Sequence, residues 1–73
     1  MKLTKFVICI ENSDYPASLE KRKIYELLPD AEAEKHGQLR VVDESGEDYL
    51  YPRALFVDLK LPRAVQAAVI EAA

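Results

Sequence analysis

Hydrophobic positions along the chain fall into short runs separated by polar punctuation. In "KFVICIE" (residues 5–11) the apolar stretch Phe6 to Ile10 occupies both parities of a strand. A β-branched, aromatic run of this kind predicts a strand covered on both faces. "NSDYPAS" (12–18) follows, with Asn12, Ser13, Asp14 and Pro16, which favour turns over a continued strand. "LEKRKIYELLP" (19–29) is ambiguous. Its Leu, Glu, Lys and Arg favour helix, with Ser18 available as an N-cap. Its apolar residues Leu19, Ile24, Leu27 and Leu28 nevertheless make an imperfect helical stripe, and a strand over 23–28 competes.

"PDAEAEKHG" (29–37) is better punctuated. Asp30 is suited to the N-cap, Glu32 and Glu34 to the first turn, Lys35 and His36 to the last, and Gly37 to the position just past the end. A helix of one or two turns is predicted. "RVVDESGEDYLYP" (40–52) reads as a hairpin. Folded about Ser45-Gly46, it sets Glu44 opposite Glu47, Asp43 opposite Asp48 and Arg40 opposite Tyr51. Directly opposed like charges weaken a strand pair by roughly 0.2–1 kcal/mol each.

"ALFVDLKLP" (54–62) alternates, with Leu55, Val57, Leu59 and Leu61 on one face and Phe56, Asp58 and Lys60 on the other. In "PRAVQAAVIEAA" (62–73) Pro62 takes a favoured first helical position, and Leu61, Val65, Ala68, Val69 and Ala72 form a stripe. That stripe is expected to cap an open end of the core rather than to meet another copy. So small a chain has little core to spare, and burying Val65 and Val69 would contribute roughly 1.5–3 kcal/mol each. Four or five short strands with two small helices describe a β-rich barrel or an α+β roll.

The chain has 73 residues, 49% hydrophobic and 32% charged. This is the balance of one globular domain and too apolar for disorder. Its lone cysteine, Cys9, excludes an internal disulfide or a cysteine-based metal framework and is expected to be a buried, inert thiol. The apolar run Phe6–Ile10 is shorter than the core of a signal peptide, about 7–15 residues, or a membrane span of about 20. A cytoplasmic protein with no membrane association is expected. A net charge of −3 argues mildly against a general nucleic-acid binder.

The stretch from Lys23 to Leu59 resembles a set of small bacterial proteins of unknown function with an SH3-like barrel. In them a strand of the type "GK-x-Y-x-VL" precedes a D-rich connection, then "G-x-IRVIDESGEDYLYP" and a final "FV-x-I" strand. The likeness covers about half the chain and is most specific across "RVVDESGEDYLYP". It departs at Arg22, where such sequences often carry Gly. The resemblance implies that residues 23–28 are a strand, and it implies no activity. The resulting expectation is a mainly β fold: a small SH3-like barrel of about five strands, with a short helical insertion near 30–36 and a C-terminal helix.

Candidate chemistry centres on the acidic turn. Asp43, Ser45, Glu47 and Asp48 offer oxygens to Ca²⁺, which takes six to eight of them. Counted from Asp43, however, Gly46 is fourth and Ala54 twelfth, so a hand-type calcium loop is absent and no metal site is expected. The simplest reading is a solvated tip whose charges stop the hairpin edge from pairing with another chain. The functional reading is a recognition patch of Asp43, Glu44, Glu47, Asp48, Tyr49 and Tyr51 for a basic partner protein. Tyr49 and Tyr51 share a strand face, and packed rings are the blander reading for both.

His36, the sole histidine, reads as a cation at a helix end, and no nucleophile signature accompanies it or Cys9. Only two glycines are present and no phosphate loop, so no cofactor and no enzymatic activity are expected. "EKRK" (20–23) is a basic cluster that Lys2, Lys5 and Arg40 would extend. Without RNA-stacking aromatics it leaves nucleic acid as the alternative to a non-enzymatic, monomeric interaction or accessory module.

Overall fold

A computed structural model describes residues 5–72. The elements are β1 (Lys5–Cys9), β2 (Ile24–Leu28), α1 (Ala31–Lys35), β3 (Gln38–Val42), β4 (Asp48–Pro52), a 3₁₀ turn (Arg53–Leu55), β5 (Phe56–Leu59) and α2 (Arg63–Ala72). The five strands form one open antiparallel sheet in the order β4-β3-β2-β1-β5. The fold is therefore mainly β, with the short helical insertion and C-terminal helix the sequence predicts. The ambiguous segment resolves as strand from Ile24. α1 is capped as expected: Ala33 N–H donates to Asp30 Oδ1 at 3.0 Å, and Gly37 takes φ +71°.

Chain connectivity forces the sheet to coil. β4 and β5 are its opposite edges, yet three residues separate them. In a flat sheet of five strands the edges would lie about 19 Å apart. The steps from Pro52 to Phe56 reach at most about 14 Å. The sheet therefore curls until its edges approach at that turn, where the Tyr51 and Phe56 rings meet edge-on at 6.2 Å.

The core lies inside the curl: Val7, Cys9, Leu19, Tyr25, Leu39, Val41, Tyr51 and Phe56. Leu19 belongs to neither strand nor helix. The loop between β1 and β2 makes a single turn, with Leu19 N–H donating to Tyr15 O at 3.0 Å. This turn drives Leu19 wholly inside, and the Asn12 side chain holds the Leu19 carbonyl at 2.9 Å. Tyr15 closes over the same end, edge-on to Tyr51 at 5.0 Å.

One expectation, the capping role of the C-terminal helix, is corrected, and β5 shows which of its two faces is buried. In β5 Phe56 is the buried residue and Val57 is 49% exposed. Pairing sets Phe56 opposite the buried Cys9 and Val57 opposite Ile8 on the outer face, so the larger aromatic ring fills the curl. The C-terminal helix is amphipathic but buries no residue, and Val65 is 43% exposed. The curled edges and the Tyr15–Leu19 turn already close the core, leaving α2 to lie on the outside.

Candidate functional site

The hairpin between β3 and β4 is built differently from a fold about Ser45-Gly46. Val42 pairs with Asp48, Val41 with Tyr49, Arg40 with Leu50 and Leu39 with Tyr51. The register is one residue away from the expected one, so Arg40 does not face Tyr51. The turn chemistry explains this. Gly46 N–H donates to Asp43 O at 3.0 Å, and Gly46 sits at φ +83°. Asp43 N–H donates to Glu47 O at 3.0 Å. This is a three-residue loop ending in a left-handed glycine, which adds one residue to one side of the hairpin.

The slip separates the carboxylates, and each has its own partner. Asp43 is only 6% exposed. Its Oδ1 accepts from Ser45 N–H at 2.9 Å and Ser45 Oγ at 2.5 Å, and its Oδ2 accepts from Tyr51 OH at 2.6 Å. Burial pushes the Asp43 pKa up, but the bonds from Ser45 and Tyr51 outweigh it and hold the carboxyl below its usual range. Burial, then the bond to Asp43, pushes Tyr51 up to about 12.

Glu44 turns away from Glu47 toward the loop before β2. Its Oε2 accepts from Tyr25 OH at 2.5 Å and from Lys23 Nζ at 2.6 Å. The Lys23 bond, then the Tyr25 bond, lowers the Glu44 pKa, while burial and Glu44 together raise Tyr25. Glu44 N–H also donates to Ser18 O at 3.0 Å, tying the hairpin to the loop that carries Leu19. On the far side Arg40 bridges Asp30 at 2.8 Å and Asp48 at 2.9 Å. The backbone N–H of Ala33, then Arg40, holds the Asp30 carboxyl low. Glu47 accepts from Tyr49 OH at 2.9 Å, which raises the Tyr49 pKa.

Of the six residues of the expected patch, the structure therefore leaves a subset for a partner. Asp43 and Tyr51 are buried and bonded to each other, which removes them from any contact surface. Glu44 is engaged with Lys23 and Tyr25. Glu47, Asp48 and Tyr49 remain exposed, with Asp48 bridged to Arg40 and Glu47 bonded to the Tyr49 hydroxyl, and are joined by Leu50, at 40% exposure, which sequence reasoning passed over. The expectation that the carboxylates are merely a solvated tip is corrected for Asp43 and Glu44.

Among the described residues β4 is a sheet edge, with no strand paired on its outer side. The bonded pair Gly37–Arg53, with Arg53 N–H donating to Gly37 O at 2.9 Å, fixes the ladder's phase. Tyr49 and Tyr51 then bond to β3, while the backbone groups of Asp48 and Leu50 point outward. Pro52 ends this outward row, having no N–H to offer.

Elsewhere Cys9 is fully buried, its thiol donating weakly to Glu11 O at 3.4 Å. His36 lies exposed at the end of α1, 3.3 Å from Glu32. Among the described residues no three of His, Cys, Asp or Glu converge as metal ligands, and no helix is long and apolar enough to cross a membrane. Of the basic cluster, Lys23 is paired with Glu44 and Arg40 with Asp30 and Asp48. Lys2 lies outside the described residues. No family model, curated protein or solved structure matches this chain.

Proposed function

We propose that the chain is a small non-enzymatic interaction module of the bacterial cytoplasm, built on an SH3-like scaffold, that takes an extended segment of a basic partner protein along β4. The observation that carries this reading is the open β4 edge, with Tyr49 and Leu50 exposed at 49% and 40% beside Glu47 and Asp48. Outward backbone groups at Asp48 and Leu50 offer main-chain hydrogen bonds to an added strand. The ring of Tyr49 and the side chain of Leu50 offer apolar contact on its two faces, and the carboxylates favour a cationic partner. Two outward-facing residues limited by Pro52 make this a short contact, suited to a regulatory or accessory role.

Affinity capture from native lysate tests the proposal, using the parent chain and Leu50→Lys, with and without RNase. Leu50→Lys places a charge on the edge that discourages strand addition. One stoichiometric protein, retained after RNase and lost with Leu50→Lys, is the expected outcome. A partner that survives Leu50→Lys contradicts the β4 surface, and one lost to RNase favours the nucleic-acid reading.

A further inference from the structure

We propose a second site, independent of β4: a cleft between α2 and the outer face of the sheet that binds a small amphipathic carboxylate, with Arg22 selecting its charge. The cleft is open to solvent and has a volume of about 630 Å³, within the roughly 300–1,000 Å³ of small-molecule sites. Its apolar walls are Phe6, Ile24 and Val42 from the sheet side and Val69 and Ile70 from α2. α2 buries no residue of its own, so the helix can yield to an apolar tail without opening the core.

Arg22, at the cleft, is the one non-glycine at positive φ among the described residues, at +71°. Lys23 N–H donates to Glu20 O at 3.3 Å, closing a turn in which only the third residue is left-handed. That is the type II pattern, whose third position favours glycine. Arg22 N–H is held by Cys9 O at 2.7 Å, so the backbone does not escape the strain. A side chain kept where glycine would fit better points to a use for that side chain.

The Arg22 guanidinium has no ion pair among the described residues, whereas the adjacent Lys23 is taken by Glu44. Of the lining carboxylates, Glu44 is neutralised by Lys23, and Asp43, still charged, is buried with its oxygens bonded to Ser45 and Tyr51. Glu26, the remaining acid of the lining, disfavours an anion beside it, and Arg22 is the lining cation left without a carboxylate partner among the described residues. A planar guanidinium grips a carboxylate through paired hydrogen bonds, and the apolar walls take the tail.

The test titrates decanoate, below its micelle-forming concentration, into the full ¹⁵N-labelled chain and follows amide shifts. Saturable shifts at Ile24, Val69 and Ile70 are expected. Arg22→Gly should weaken binding by at least about tenfold, the scale of one charge-assisted contact, without lowering the melting temperature. Decyltrimethylammonium, with the same tail and opposite charge, should bind at least about tenfold more weakly than decanoate. The proposal is overturned by absence of saturable decanoate shifts, by unchanged decanoate affinity in Arg22→Gly, or by equal binding of the cation. Arg22→Gly melting below the parent would overturn the strain argument beneath it.

Discussion

Asp43 shows most sharply what single residues do in this fold. Truncating it would leave the Tyr51 hydroxyl buried without its acceptor and the turn without its Ser45 bonds. Losing a charged acceptor in a desolvated site costs about 3 kcal/mol, whereas Tyr51→Phe, which leaves the Ser45 bonds in place, should cost about 1–2 kcal/mol. Urea unfolding of Asp43→Ala and Tyr51→Phe checks both values. Asp43 and Glu44 have carboxyls held below their usual pKa in the folded chain. Their contribution is therefore present above the unfolded carboxylate value, about 4, and is lost as pH falls through the lower folded values. Melting temperature should drop from about pH 4 downward, and less steeply in Asp43→Asn. The sequence held a clue to this: Asp-x-Ser-Gly is the pattern of a side-chain-capped turn ending in a left-handed glycine. What local pattern could not supply was Tyr51, eight residues on, or Tyr25 and Lys23 across the sheet, because those contacts exist only once the curl forms.

At the level of elements, legibility followed the source of each element's stability. α1 was readable because its determinants are local: Asp30, its acidic first turn and Gly37. β5 was readable as a strand but not in its facing, since alternation put aliphatic residues on one parity while the core wanted Phe56. α2 was readable as a helix, yet its stripe did not reveal that the core was already closed by Leu19 and Tyr15. The two segments should respond oppositely to substitution. Val65→Asp is expected to change stability by no more than about 0.5 kcal/mol. Leu19→Ala, from a loop position with no exposure, should cost about 2–5 kcal/mol. Denaturant midpoints of the two variants decide between a core held by the loop and one held by the helix.

For the whole molecule, the architecture follows from a short β4–β5 connection that obliges the sheet to curl, and from a loop that seals one end of the curl. The curl leaves β4 exposed along its outer side and α2 outside the core. An isolated helix shorter than about 12–15 residues is marginal in water, so α2 should open far more readily than the strands. Residue-resolved amide hydrogen exchange measures all of this at once. Strong protection is expected for β1, β2 and β3, and for the Glu44 amide bonded to Ser18. In β4 the amides should alternate, with Tyr49 and Tyr51 slow and Asp48 and Leu50 fast, and α2 should show little protection. Uniform protection along β4, or an α2 as slow to exchange as β1, is the result that rules out this architecture.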